Sequence, residues 1–253
     1  MNVTAYLERI NYHGTTVPSS ETLRALQVAH LQTVPFENLS IHAGEPIVIE
    51  DGALFTKIVE RRRGGFCYEC NGLFAALLRA LGFDVTMLAA EVAKKDGGYS
   101  QPFEHMTLMV SEEQRWLVDV GFGDSFLEPL LLDERSEQVG RDTTYKVVDE
   151  GGHLILKRRD ADAWTPQYRF TLQPYQYEDF AEMCRYQQTS PESHFTQKRI
   201  CSRASESGRI TLSDMRLIET SYGNRREREL ANQQEYDAAL KQHFGIVMTS
   251  SFA

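Results

Sequence analysis

The spacing of apolar residues changes once along the chain, from a helical period to the shorter period of strands. Leu73, Leu77 and Leu81 recur every four residues and precede Gly82, which predicts a helix over 71–81 ending at a glycine. The middle third instead carries six short runs rich in β-forming residues and separated by turn signals. These runs are 84–92, 106–110, 115–120, 144–148, 153–157 and 167–172. Helices followed by strands favour an α+β fold or separately packed domains.

The flanking segments complete this outline with shorter patterns, each bounded by a proline, a glycine or a capping residue. They predict four helices: one over 3–11, one that begins at Ser20 as N-cap and ends before Pro35, one around 180–187 and one around 236–244. They also predict a hairpin of 208–212 with 215–219.

Length, charge and cysteine content exclude several classes of protein. A chain of 253 residues can bury a sizeable core, and its net charge of −9 argues against nucleic-acid or membrane-surface partners. The N-terminus does not resemble a signal peptide, and no stretch approaches the roughly 20 apolar residues of a membrane span. The four cysteines are therefore expected to be reduced thiols in a cytoplasmic protein.

Cys67 stands where a reactive thiol is expected. Gly64 and Gly65 precede it and permit a tight turn, and the predicted helix follows it. A thiol at a helix N-terminus feels the positive end of the helix dipole, which favours the thiolate and lowers the pKa. A buried, inert cysteine fits the same placement equally well.

His105 and Asp119 lie at the ends of two neighbouring β-rich runs. As an antiparallel hairpin, 106–110 and 115–120 would bring both side chains to the same end. A carboxylate in an apolar run needs a compensating partner, and an imidazole could supply it. Asp119 would then fix the tautomer of His105, whose other nitrogen would face Cys67. Backbone N–H groups could satisfy Asp119 instead, and the histidine could be purely structural.

Cys67 and Cys70 also form a C-x-x-C pair, which occurs in zinc sites and redox sites. A structural zinc site needs a second ligand pair, and Cys184 and Cys201 are not spaced as one. A redox site of the thioredoxin type would need a preceding strand, which the segment 61–65 does not predict. A non-catalytic zinc or redox module is therefore the weaker alternative.

Several segments together resemble one family. The segment 63–71 is similar to the arylamine N-acetyltransferase signature R-G-G-x-C-x-E-x-N, and 34–39 to its P-F-E-N-L motif. His105 heads a strand as the family's histidine does, and 119–123 reads D-V-G-F-G. Later stretches resemble the family's S-x-F and G-R-x-T-L motifs, at 193–195 and 208–212. The resemblance extends from about residue 3 to residue 248.

The resemblance implies a three-part α+β fold with a cysteine-protease-like Cys-His-Asp core. A helical N-terminal bundle (1–83) would carry the nucleophile, a β-barrel-like middle domain (84–187) would carry His105 and Asp119, and an α/β C-terminal lid would span 188–253. It also implies a ping-pong reaction in which Cys67 takes an acetyl group from acetyl-CoA and passes it to an aromatic amine or hydrazine, without a metal. An amide synthase on the same scaffold, or a hydrolase or transglutaminase-like enzyme with the same triad, stays open.

Supporting residues also follow from the resemblance. Glu37 and Arg63 would form a buried ion pair that holds the loop before Cys67. The residue at position 70 is a departure, since the family often has histidine, glutamine or leucine there, and Cys70 is interpreted as a core residue. The residues expected to line the acceptor pocket are Phe36, Phe122, Gly123 and Phe195.

Overall fold

The computed structural model describes residues 1–141 and 143–248. The helices are α1 (Val3–Arg9), α2 (Ser20–Thr33), α3 (Leu39–His42), α4 (Asp51–Phe55), α5 (Cys67–Ala80), α6 (Ala181–Thr189), α7 (His194–Gln197) and α8 (Gln233–Ala239). The strands are β1 (Phe36–Glu37), β2 (Asp84–Val92), β3 (His105–Ser111), β4 (Arg115–Val118), β5 (Leu130–Leu131), β6 (Gln138–Val139), β7 (Thr144–Glu150), β8 (His153–Asp160), β9 (Ala163–Phe170), β10 (Ile200–Ser205), β11 (Gly208–Ser213), β12 (Arg216–Ser221) and β13 (Asn224–Glu229). Short π or 3-10 turns extend α4, α6 and α8 at Thr56–Glu60, Tyr177–Phe180 and Leu240–Phe244.

Helix α5 is the buried centre of the N-terminal third. It ends as predicted, with Gly82 at a φ of +96° just beyond the C-cap, but it begins four residues earlier than the leucine spacing indicated. The apolar spacing did not predict the first turn, because that turn contains polar residues that are nevertheless buried. One of them, Glu69, accepts a hydrogen bond from the Phe66 N–H at 3.1 Å. Among the described residues, no helix is both long and apolar enough to cross a bilayer.

The other predicted elements are confirmed with shifted ends. All six β-rich runs of the middle third are strands, and 208–212 pairs with 215–219 as the hairpin β11–β12. The N-cap of α2 is Ser19 instead of Ser20, because the Ser19 hydroxyl accepts the Thr22 N–H. The pattern missed β13, whose six charged or polar residues are all exposed and carry no alternation.

The middle third forms a nearly closed, barrel-like antiparallel sheet, as predicted. Its strand order is β5-β4-β3-β2-β9-β8-β7-β6. The Gln138 side chain in β6 joins the two edge strands, since its amide accepts from the Leu131 N–H at 2.7 Å and donates to the Leu131 carbonyl at 2.9 Å. Satisfying edge groups in this way removes a liability of open sheets.

A second antiparallel sheet, β1-β10-β11-β12-β13, connects the two ends of the chain. Strand β1 belongs to the N-terminal third, yet Phe36 pairs with Ser202 and Glu37 with Cys201. The expected domain boundary at residue 187 falls inside α6, which continues to Thr189. The helices and the barrel also share one apolar cluster, which includes residues of α5, β2 and β3. The Glu37 N–H also donates to the Gly65 carbonyl at 2.9 Å, so β1 joins the loop before Cys67 to the second sheet.

Candidate active site

Cys67 is the first residue of α5, lines a cavity and is almost fully buried. Its thiol is free, and Sγ lies 3.9 Å from the Glu104 carbonyl oxygen. The two glycines before it are needed for close approach, because a Cβ on Gly64 would lie 1.9 Å from the Pro35 carbonyl oxygen. The Gly65 N–H donates to that same oxygen. The glycines thus let the loop lie against the segment that leads into β1.

The thiol of Cys67 does not have the lowered pKa expected from its position on the helix. Burial raises the pKa of the Cys67 thiol well above its usual value, although the backbone N–H groups of Met106 and Tyr68 oppose this. This direction is the opposite of the one predicted from the helix position, because desolvation by burial is the largest effect on the thiol. A thiolate can form at this buried position only if the Cys67 thiol gives its proton to a base in the same cavity.

His105 and Asp119 meet as the hairpin argument predicted. Strands β3 and β4 pair with Leu108 opposite Val118, and His105 Nε2 lies 2.6 Å from Asp119 Oδ2. Both side chains are buried. Since Nε2 is engaged by the carboxylate, Nδ1 is the imidazole nitrogen that can exchange a proton with a group in the cavity.

The Asp119 carboxylate receives hydrogen bonds on both oxygens. Oδ2 accepts from the Tyr168 hydroxyl at 3.0 Å as well as contacting His105, and Oδ1 accepts from Asn71 Nδ2 and the Gly121 N–H, each at 2.9 Å. Burial by itself raises the pKa of this carboxyl. The charge of His105 and the hydrogen bonds from His105, Asn71 and Gly121 outweigh burial, so the pKa lies below its usual value. Asp119 is therefore ionised and fixed in orientation.

Asn71 holds the helix and the hairpin together. Its amide nitrogen also donates to the Met106 carbonyl at 2.6 Å, and its amide oxygen accepts from the Val120 N–H at 2.8 Å. Asn71 is the last residue of the signature R-G-G-x-C-x-E-x-N and lies one helical turn after Cys67. This position was the only hint in the sequence that Asn71 belongs to the site. Tyr168, on β9, carried no comparable signal. Sequence reasoning assigned a role to neither residue.

Glu37 and Arg63 form the buried ion pair that was expected of them. Arg63 Nη2 lies 2.9 Å from Glu37 Oε1, and the Leu39 N–H donates to Glu37 Oε2 at 2.7 Å. Burial by itself raises the pKa of the Glu37 carboxyl, but Lys57 and Arg63 bring it below its usual value. Removing one partner of such a pair typically costs about 3–5 kcal/mol, because the other charge stays buried alone. The pair joins β1 to the loop before Cys67.

The cavity that Cys67 and His105 line has a volume of about 660 Å³. Phe36, Phe122 and Phe195 form aromatic walls, as expected. Gly123 does not line it. It has a φ of +92°, and a Cβ there would lie 3.2 Å from the Phe36 ring, so it packs closely against that wall residue. Gly121 lines the cavity instead.

Comparison with known proteins identifies the family. A family model described as N-acetyltransferase matches residues 19–253. The arylamine N-acetyltransferase of Escherichia coli is 32% identical over 245 aligned positions, which cover 95% of this chain and 87% of the relative. The chain belongs to the arylamine N-acetyltransferase family.

Solved arylamine N-acetyltransferases have the same fold. The enzyme of Mycobacterium marinum, solved in complex with CoA, aligns with a TM-score of 0.91 at 33% identity and covers 97% of this chain and 93% of its own. An enzyme of Bacillus cereus aligns with a TM-score of 0.90 at 25% identity, covers 98% and 100%, and is described as having a unique Cys-His-Glu catalytic triad. In the present chain, the carboxylate that contacts the histidine is an aspartate.

The rim of the cavity contains polar groups that the motifs did not indicate. Glu104 lines the cavity, and its Oε1 accepts from Gln187 Nε2 at 3.4 Å. The buried amide of Gln187 in turn accepts from the Ser193 hydroxyl at 2.5 Å. The serine of the S-x-F motif thus holds the Gln187 side chain at the cavity wall. Lys94, Lys95, Asp96 and His194 complete the charged and titratable lining.

Cys70 points into the core, as interpreted from the sequence. It is fully buried, and its Sγ lies 3.1 Å from the Gly65 carbonyl oxygen. Burial raises the pKa of its thiol, which disfavours reaction. In the described part of the chain, no three histidine, cysteine or acidic side chains are grouped as metal ligands.

Proposed function

We propose that this protein transfers an acetyl group from acetyl-CoA to the nitrogen of an arylamine or arylhydrazine, through an acetyl-cysteine on Cys67. The observation that carries the proposal is that the thiol of Cys67 and the imidazole of His105 line one aromatic-walled cavity, while Asp119 engages the far nitrogen of the imidazole. A nucleophile, a base and an orienting carboxylate are the parts that covalent acyl transfer requires.

The first half-reaction forms the acetyl-enzyme. His105 Nδ1 takes the Cys67 proton, and the sulfur attacks the thioester carbonyl of acetyl-CoA. The bond from that carbonyl carbon to the CoA sulfur then breaks, and CoA leaves after taking the proton from His105. The raised pKa of the Cys67 thiol supports this coupling, since a thiolate without an imidazolium beside it would be an uncompensated buried charge.

The second half-reaction consumes the acetyl-enzyme. The acceptor nitrogen attacks the acetyl carbonyl, His105 accepts a proton from that nitrogen, and Cys67 leaves as a thiol once the proton is returned to it. Phe36, Phe122 and Phe195 form the walls against which an aryl ring would pack. Splitting the transfer into two displacements replaces one difficult step by two easier ones.

The proposal also divides the chain by role. Residues 1–83 would be a helical bundle that presents the nucleophile, the barrel after it would supply His105 and Asp119, and the residues after α6 would act as a lid over the cavity. Helices α1–α5 in the first third, and Phe195 of α7 at the cavity wall, support this division. The core would then correspond in its Cys-His-Asp arrangement to that of a cysteine protease.

Incubation of the reduced protein with acetyl-CoA alone, followed by intact-mass measurement, tests the proposal. We expect one acetyl group per chain, no adduct in Cys67→Ala, and rapid loss of the adduct when an arylamine or arylhydrazine is added. Cys70→Ala is the matched control, since it removes a buried thiol from the same helical turn and should retain the adduct.

Two results would contradict the proposal. If active, reduced protein gave no adduct, or if the adduct persisted in Cys67→Ala, Cys67 would not be the acyl carrier. If the adduct decayed at the same rate with and without any amine or hydrazine of a panel, water would be the acceptor and the enzyme would be a hydrolase.

A further inference from the structure

Glu104 is a half-buried charged residue in the wall of the cavity that Cys67 and His105 line. The remaining charged or titratable lining residues of the described chain are exposed to solvent; they are Lys94, Lys95, Asp96 and His194. Water and salt screen charges at exposed positions. Glu104 is partly withdrawn from solvent and shares the cavity with aromatic walls, so its charge acts on a bound molecule with less screening.

The chain just before Glu104 holds its backbone in place. Phe103 has a φ of +66°, a left-handed conformation that residues with a side chain adopt rarely. The Phe103 ring packs edge-on against Tyr175 and Phe180, and its carbonyl accepts from the Tyr68 hydroxyl at 2.8 Å. The Glu104 carbonyl oxygen lies 3.3 Å from the same hydroxyl. An uncommon backbone conformation persists where its surroundings determine it, and such positions are frequent at functional sites.

The Glu104 side chain is held by two buried groups from the C-terminal third. Gln187 Nε2 donates to Glu104 Oε1 at 3.4 Å, and Gln187 Oε1 accepts from the Ser193 hydroxyl at 2.5 Å. Gln187 and Ser193 are 2% and 3% exposed, so the amide cannot turn away without leaving a buried hydrogen bond unmade. No described residue donates to Glu104 Oε2, and no described lysine, arginine or histidine forms an ion pair with this carboxylate. The carboxylate therefore keeps accepting capacity for a ligand.

We propose that Glu104 determines acceptor choice, favouring arylamines and arylhydrazines that carry a cationic substituent such as an amidinium, and disfavouring those that carry a carboxylate. This inference rests on the proposed acetyl transfer, because it names the class of acceptor for the same cavity. An amidinium presents two N–H donors in one plane, and a carboxylate accepts such a pair as it accepts a guanidinium. A carboxylate substituent would instead face a like charge between apolar walls.

Binding of three aryl probes to the resting protein tests this charge preference without requiring acetylation. Titration calorimetry of the full chain should give benzamidine the highest affinity, benzamide an intermediate one and benzoate the lowest. Glu104→Gln keeps the shape of the side chain and removes its charge. It should weaken benzamidine about tenfold, through loss of a charge-assisted hydrogen bond, and bring benzoate closer to benzamide.

Glu113→Gln is the matched control. Glu113 is an exposed glutamate in the turn between β3 and β4, outside the cavity, so its replacement removes the same charge and should leave all three affinities unchanged. Equal affinity of the native protein for benzamidine and benzamide would overturn the inference, as would the same preference in native and Glu104→Gln proteins. Since no acetyl-CoA is present, these results do not depend on acetylation of Cys67. A missing acetyl-cysteine would contradict the proposed function separately.

Decay of the acetyl-enzyme extends the test from binding to acceptor choice. Anilines with an amidinium, an amide or a carboxylate at the meta or para position are compared between native and Glu104→Gln proteins, so that their intrinsic reactivities cancel. We expect the variant to reduce the rate ratio of amidinium over carboxylate anilines about tenfold. A purely structural role for Glu104 would lower the rates for all acceptors alike, and an unchanged ratio would contradict the inference.

Discussion

Asp119 shows how much of the site depends on a single buried charge. Two hydrogen-bond donors surround each carboxylate oxygen, from β3, β9, α5 and the chain just after Asp119 itself. A carboxylate that is buried but saturated in this way stays ionised and cannot rotate. Its role would be to hold His105 in the tautomer that leaves Nδ1 free to accept a proton.

Replacing Asp119 by asparagine should lower the rate of Cys67 acetylation by about 10⁴, as the loss of the orienting carboxylate does in serine-protease triads. The NH₂ group of the asparagine would face a group that now donates a hydrogen bond to Asp119. The imidazole of His105 would then lose the acceptor that fixes its tautomer. Tyr168→Phe is the control, because it removes one donor and keeps the carboxylate. Rapid-quench intact mass measures both rates, and a rate for Asp119→Asn within tenfold of native would contradict this role.

The N-terminus of α5 is where a helix and a hairpin come closest. Gly121, just after β4, lies against it so tightly that a Cβ there would be 2.7 Å from both the Cys67 Cα and Asn71 Nδ2. The contact is with backbone at Cys67, which cannot rotate away as a side chain could. The close approach of the hairpin to the helix therefore requires that position 121 carries no side chain.

Gly121→Ala should therefore reduce both the acetylation rate and the free energy of unfolding, because the hairpin must move away from the helix. Gly52→Ala is a matched control in α4, where a Cβ would meet nothing within 4 Å. That change should stabilise the protein by about 0.5–1 kcal/mol through the better helix propensity of alanine. Denaturant unfolding and the intact-mass assay measure the two effects. Native-like values for Gly121→Ala would show that the hairpin tolerates the shift.

At the scale of the whole molecule, a second buried histidine links the helices. His30 of α2 is fully buried, its Nδ1 lies 2.8 Å from the Tyr6 hydroxyl of α1, and its ring packs edge-on against Phe74 of α5. Burial, with a smaller effect of the Arg9 charge, lowers the pKa of His30 to about 3. The folded protein therefore keeps this side chain neutral.

This pKa predicts an acid-sensitive fold. An unfolded chain protonates His30 below a pKa of about 6.5, whereas the folded chain does so only near 3, so the stability it contributes is complete above 6.5 and falls with decreasing pH. At pH 5 the loss from this group is about 2 kcal/mol. Urea unfolding at pH 7 and pH 5 should show a smaller loss for His30→Gln than for the native protein. Equal losses would mean that His30 is not responsible.

The sequence predicted helices and strands well where one face is apolar, and poorly where buried residues are polar or where all residues are exposed. The leucine spacing of α5 located its body and its glycine end but not its first turn, which contains Cys67. Strand β13 was missed because exposed residues carry no pattern. Gly123 was expected in the pocket wall, whereas the structure packs it against the ring of Phe36, which is itself a wall residue.

By itself, the sequence determined the order of helices and strands, the segments that carry Cys67, His105 and Asp119, and the family. The elements and motifs depend on the spacing of residues that are close together along the chain. Only the tertiary structure decided which way the Cys67 pKa moves, which donors hold Asp119, and that Glu104 lines the same cavity as Cys67. Those depend on burial and on partners such as Asn71 and Tyr168, which lie 48 and 49 residues from Asp119 along the chain and meet it only in the fold.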